Sequence, residues 1–221
     1  MLRLYHVPLC PFCRKVRISL REKGLTAELV EVQPWAHPDD LLRLNPASEA
    51  PVLVEGDQVV CDSQAITDYL EEAHPEPRLL GKTQAERNET RRLVAWFDTK
   101  LNREVSELLW REKMVKRWAK RGFPRSEVVR EGAQNIRFHL TYIDYLYQSR
   151  KWLAGDTLTL ADVTAAAHLS VLDYMGDVPW EAAPGARDWY AKMKSRPSMR
   201  PVLLDRLTGL KPPAHYDDPD F

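Results

Sequence analysis

Excess charge of either sign, a long apolar run and a stock of cysteine are all missing from this 221-residue sequence. The 32 basic residues cancel the 32 acidic ones. No global field therefore draws the chain to nucleic acid or to an anionic membrane, and any electrostatic attraction is local. The richest apolar stretch, Val163 to Leu172, is interrupted by His168 and falls far short of a bilayer span, which argues against membrane insertion. No apolar segment follows the basic residue of the opening MLRLYHVPLC, so a secretory signal is not expected and a reducing, cytoplasmic setting is. Three cysteines cannot all pair, and a disulfide between Cys10 and Cys13 would be a working redox couple, not a scaffold. Cys61 and six scattered histidines offer no second close pair of ligands, so no zinc or other metal site is expected. Internal repeats and low-complexity tracts are absent too.

What is present divides into two patterns. Residues 1–75 read as short strands alternating with helices: a strand over Leu2 to His6, a helix from Cys13 to Lys23 stopped by Gly24, and a strand over Glu28 to Glu31. A short helix over Asp39 to Leu44 follows, and then two strands, Pro51 to Val54 and Gln58 to Cys61. Turn chemistry at Glu55, Gly56 and Asp57 makes that last pair antiparallel. Asp62 or Ser63 caps a helix that runs to about Ala73. The order βαβαββα predicts a four-stranded mixed sheet flanked by helices. Residues 76–84, with the paired prolines of HPEP at their edge, read as a linker, and 85–206 as an all-helical domain. Within it, Leu93, Phe97, Leu101, Val105 and Leu108 mark one stripe of a long helix, and Val129, Ala133, Ile136, Leu140, Ile143 and Tyr147 mark a second. Thr159 and Asp162 form a capping box that starts a third. Residues 207–221 read as an extended tail.

The chemistry concentrates in Cys10, Pro11, Phe12 and Cys13, where a strand gives way to a helix. A thiol at a helix N-terminus faces unpaired amide donors and the positive end of the helix dipole, and both favour the thiolate. Cys10 is the expected nucleophile. Cys13, one turn further in, can resolve a mixed disulfide, and Arg14, Lys15 and Arg17 are expected to add positive charge nearby. The alternative is that both cysteines are small buried hydrophobes that happen to lie three apart.

With these residues the chain resembles the cytosolic glutathione transferases over nearly its full length. That family has a thioredoxin-like N-terminal domain with its catalytic residue at the start of the first helix, as Cys10 is here. A cis-proline precedes the third strand, matched by Pro51 in EAPVL, and an acidic residue followed by serine is matched by Asp62 and Ser63. The resemblance implies the glutathione transferase fold, an α/β thioredoxin-like domain joined to an all-α domain, and a homodimer. It also implies glutathione as substrate, held by Phe12, Ala50, Pro51, Asp62 and Ser63. Many members carry glutamate where Asp62 stands. Two functions follow from the likeness. One is glutathione-dependent thiol transfer or conjugation by a Cys10 thiolate. The other, suggested by the stretches LYHVPLCPFCRKVR, the Trp35 loop, LAGDTLTLADVTAAAHLSVLDYMGDVPWE and PPAHYDDPDF, is the role of an α-proteobacterial branch that binds the division protein FtsZ without turning over glutathione.

Other features admit two readings each. Lys113, Lys116, Arg117 and Lys120, with Arg121 and Arg125, crowd the turn between the two long helices, either as a docking patch for an acidic partner or as a solvated helix end. Trp35, in a loop with Pro34 and Pro38, is a contact anchor, a lid over the cleft or ordinary packing. Trp110, Trp118, Trp152, Trp180 and Trp189 read as helix packing, and His139 and His168 as packed or capping residues without a serine or carboxylate in triad order. The stretch His215 to Phe221 reads as a solvated terminus or a second docking element.

Overall fold

The computed structural model describes residues 1–218. Strand β1 (Leu2–His6) leads through helix α1 (Pro11–Glu22) to β2 (Ala27–Glu31), and a short helix α2 (Asp39–Leu44) leads to the hairpin β3 (Val52–Glu55) and β4 (Gln58–Cys61). Helix α3 (Ser63–Ala73) closes the unit. The sheet order is β2-β1-β3-β4, with β1 parallel to β2 and antiparallel to β3. In register, Leu4 stands between Leu29 and Leu53. Leu2 and Leu4 are buried while Arg3 between them is exposed, which is the alternation a half-buried strand requires. Helix α1 ends where Gly24 takes φ +69° and Leu25 N–H reaches back to Leu20 O at 2.8 Å, closing the last turn as the sequence predicts.

The remainder is helical, as expected. A continuous helix runs over 84–118, begun by a Thr83 and Glu86 capping box that the sequence reading passed over. Its buried stripe is Leu93, Phe97, Leu101, Val105 and Leu109, so Leu109 replaces the expected Leu108. A constant step of four drifts around an α-helix of about 3.6 residues per turn. The wider π winding over Trp96–Ser106 and Arg111–Val115 slows that drift and keeps the stripe against the core. The second long helix, Ser126–Ser149, packs against it.

At the centre lies the helix Leu160–Tyr174, buried at every residue. Its capping box is formed as predicted. The carboxylate of Asp162 accepts from Thr159 N at 3.0 Å, from Leu153 N at 2.8 Å and from Trp189 Nε1 at 3.0 Å. Helix α1 lies along this central helix, and Ile18 enters the core of the helical domain.

Residues 207–218 do not form the extended tail expected of them. They fold back on the helical domain: Tyr216 is fully buried, edge-on to Tyr174, and Tyr174 Oη donates to Leu210 O at 2.7 Å. His215 lies 2.8 Å from Asp173. An aromatic with space behind a helix end outweighs the freedom of a proline-rich terminus. The end of the expected docking element, 219–221, lies outside the described residues.

Candidate functional site

Cys10 is the N-cap of α1, in extended backbone (φ −92°, ψ 126°), and Pro11 takes the first helical position, where its missing donor costs nothing. The Cys10 side chain therefore stands at the positive end of the helix, near its first amides, though it accepts no capping hydrogen bond. A hydrogen bond from the Cys13 thiol, joined by the amides of Cys13 and Phe12 and by the charge of Arg14, holds the Cys10 pKa below its ordinary value against the opposing effect of burial. Burial pushes the Cys13 thiol well up, and its hydrogen bond to Cys10 pushes it further. Val7 N–H donates to Cys13 Sγ at 3.3 Å. The pair is thus divided into one sulfur that ionises readily and one that keeps its proton.

Neither thiol is open to solvent. Cys10 is 5% exposed and Cys13 wholly covered. Val7, Phe12, Val32, Trp35, Ala50, Trp110 and Trp118 pack around them. Trp35, from the sheet domain, stacks on Trp118, from the helical domain, with centroids 5.2 Å apart and planes 11° from parallel. Trp110 meets Trp118 edge-on at 6.0 Å, and its indole N–H donates to Leu9 O at 2.6 Å, beside the thiol. Trp110 and Trp118 therefore pack on the core of the helical domain, as expected, and also cover the thiol pair. They roof the dithiol, and the lid reading of Trp35 describes where its ring lies.

The other predicted site residues converge on the same end of the sheet domain. The Ala50–Pro51 bond is cis, and Ala50 packs against the thiol pair. Asp62, at φ +75°, caps α3 by accepting from Gln64 N at 2.7 Å, and Ser63, the first residue of α3, is buried. The capping bond leaves the Asp62 carboxylate at the helix N-terminus, where it would attract an ammonium, while Ser63 and the first amides of the helix suit an anion.

The cations expected beside Cys10 have other tasks. Arg14 is fully buried and crosses to the helical domain, donating to Ser170 Oγ at 2.9 Å, Tyr216 Oη at 3.1 Å, Val202 O at 2.7 Å and Asp205 at 3.2 Å. Arg17 joins Asp205 at 2.7 Å. Lys15, also buried, pairs with Asp98 at 2.6 Å and donates to Gln64 Oε1 at 3.1 Å. Charges this deep require partners, and the partners lie across the domain boundary. Of the three, Arg14 is the one whose charge helps to lower the Cys10 pKa.

His168 corrects a second expectation. A serine and a carboxylate do flank it: Ser106 Oγ lies 2.8 Å from Nδ1 and Asp98 Oδ1 lies 3.3 Å from Nε2. Phe12 meets the ring edge-on at 5.4 Å. The histidine and serine are buried, so the arrangement ties helices together inside the helical domain. Eight residues separate Asp98 from Ser106 on one helix, but nothing local in the sequence brings His168 to them.

The basic turn is partly neutralised. Lys113 pairs with Asp177, Lys116 lies 2.5 Å from Glu112, and Arg125 also bonds Glu112. Arg117 donates to Gly209 O at 2.9 Å. Lys120 and Arg121 are exposed, and beside them Phe123 is 91% exposed. Phe123 was not among the expected contact residues, because a phenylalanine next to proline and glycine reads as turn filler. Among the described residues no cluster could hold a metal ion, and no helix is long and apolar enough to cross a membrane.

Comparison with known proteins adds the following. Residues 4–78 match the model of the glutathione S-transferase N-terminal domain, and residues 114–197 match that of the C-terminal domain. The chain is 49% identical to FtsZ-localized protein A of Caulobacter vibrioides over 99% of its length and 97% of that protein's. A solved structure of FzlA from C. crescentus superposes with a TM-score of 0.96, covering 100% of this chain and 99% of that one. A glutathione S-transferase structure from Rhodospirillum rubrum F11, 54% identical, superposes at 0.98 with full coverage of both chains.

Proposed function

The chain belongs to the glutathione S-transferase family, and on that premise we propose that it is a division-associated protein of that fold which docks on FtsZ. The observation that carries this reading is the 49% identity, end to end, with a protein named for its localisation to FtsZ. The geometry supports it in two ways. The thiol cleft is roofed by three tryptophans and stands closed, and the rim beside that roof presents an exposed phenylalanine among exposed cations. An aromatic anchor ringed by charge suits a protein partner. The contact face comprises Trp35, Trp118, Lys120, Arg121 and Phe123. Lys113 and Lys116 support it from within, paired with Asp177 and Glu112, and the exposed Arg117 donates to Gly209 O beside it. Co-sedimentation with assembled FtsZ tests the reading. The protein should pellet with polymer, less so for Lys120→Glu and at raised salt. A wild-type protein that stays in the supernatant would sink it.

A second reading rests on a different observation. Cys10, at the N-cap of α1 with its pKa lowered, stands beside the cis Ala50–Pro51 bond and the start of α3. Glutathione would lie along the Ala50 backbone by main-chain hydrogen bonds, with Phe12 and Pro51 flanking its sulfur and Asp62 and Ser63 taking its γ-glutamyl end. Cys10 thiolate would then attack a glutathione mixed disulfide and Cys13 would resolve it. The test is reduction of a glutathionylated peptide, abolished by Cys10→Ser; absence of wild-type activity above background rejects it. On either reading the chain works in the cytoplasm as a homodimer, which light scattering would show as about twice the chain mass.

A further inference from the structure

Cys10 and Cys13 lie beneath a cover of side chains drawn from both domains, and its parts are not equally firm. Trp110 is pinned by its bond to Leu9 O. Phe12 rests on the buried His168 ring. Trp35, by contrast, sits half-buried in the short turn Pro34–Ala36, followed by His37 at φ +47°. Trp118 ends its helix, with Lys120 at φ +52° just beyond. The stack of these two rings joins a short turn of the sheet domain to the end of a helix in the other domain. With Cys10 5% exposed and interiors packed without spare room, a group added to the sulfur needs space, and this stack is the least anchored part of the cover that can yield it.

We infer that an adduct on Cys10 and the closed Trp35–Trp118 stack exclude one another, so that S-thiolation of Cys10 by a low-molecular-weight disulfide parts the face assigned above to the FtsZ partner. Only this last clause rests on the docking reading. In the step itself, the Cys10 thiolate attacks one sulfur of the disulfide RSSR. The bond from Cys10 Sγ to SR forms, the RS–SR bond breaks, and RS⁻ leaves and takes a proton from water. Cys13 then loses its proton to solvent and attacks Cys10 Sγ, expelling the second RS⁻. Two protein thiols are oxidised and one disulfide is reduced to two thiols. The resulting Cys10–Cys13 bridge adds no bulk, so the stack closes again. The sequence runs from a closed dithiol through an open adduct to a closed disulfide. Because exclusion is reciprocal, a partner that clamps the stack also shields the thiol.

The test uses the full chain carrying Cys13→Ser and Cys61→Ser, which leaves Cys10 as the single thiol and traps the adduct. After reaction with oxidised glutathione, mass spectrometry should find one glutathionyl group on Cys10, and near-ultraviolet circular dichroism should lose the signal of the stacked indoles. Separately, iodoacetamide should alkylate Cys10 about fivefold to tenfold faster in Trp35→Ala or Trp118→Ala, with an unchanged pH midpoint. An adduct that leaves the dichroism intact, no adduct where iodoacetamide still reacts, or equal alkylation rates in both tryptophan variants would each overturn the inference. Failure of the unreacted protein to pellet with FtsZ removes the docking reading alone, since dichroism and alkylation report on the stack without a partner.

Discussion

Replacing Arg14 by methionine removes the guanidinium that joins the two domains and leaves side-chain volume nearly unchanged. Five acceptors lose a donor: Pro8 O, Ser170 Oγ, Tyr216 Oη, Val202 O and Asp205. Breaking a buried pair by deleting one partner costs about 3–5 kcal/mol. Here Asp205 keeps Arg17, at 2.7 and 3.0 Å, so its charge is not orphaned and the lower end, about 3 kcal/mol, applies. For a chain of this size that lowers the melting temperature by about 6–12 °C. Urea unfolding followed by the fluorescence of the seven tryptophans reads it directly. Arg3→Gln, which cuts the exposed pair with Glu28, is the control and should leave the midpoint in place. An Arg14→Met protein within about 1 kcal/mol of wild type would refute the claim that this cation joins the domains.

Three further outcomes are expected. Burial pushes His6 and His139 down to about 4; folded pKa values below those of the unfolded chain mean that stability is present at neutral pH and lost as pH falls from about 6.5 to about 4. Urea midpoints measured across that range should fall, less so for His139→Gln, and a flat profile would contradict the burial. Asp162→Ala leaves Leu153 N, Thr159 N and Trp189 Nε1 without an acceptor, a loss of about 3 kcal/mol or more by chemical denaturation; a loss under about 1 kcal/mol would show that water replaces the carboxylate. Cys13→Ala removes the hydrogen bond that most lowers the Cys10 pKa, so the pH midpoint of Cys10 alkylation should rise, and a midpoint that stays put assigns the shift to the helix amides.

Local chemistry made much of this legible before any coordinates. Gly24, the 55–57 turn, the Thr159 capping box and the strand-to-helix position of Cys10 each depend on neighbours in sequence, and each stands where expected. What escaped depends on long-range partners. Arg14, Lys15 and Arg17 spell a basic helix start, yet their counter-charges at Asp98 and Asp205 lie 83 to 191 residues away, so their burial could not be read from position. The same holds for Ser106 and Asp98 around His168, and for Tyr216, whose burial follows from a space made by Tyr174 and Leu210. The tryptophan roof was half visible: Trp35 stood out because it sits in a loop, whereas Trp110 and Trp118 were absorbed into helical spacing.

Hydrogen exchange measured by mass spectrometry, on the protein alone and with assembled FtsZ, tests the docking face most directly. Slowed exchange should fall on the Trp35 loop and on residues 116–125, with the sheet and the helix Leu160–Tyr174 unaffected. Protection confined to other surfaces, or none at all at polymer concentrations that saturate binding, would contradict the account.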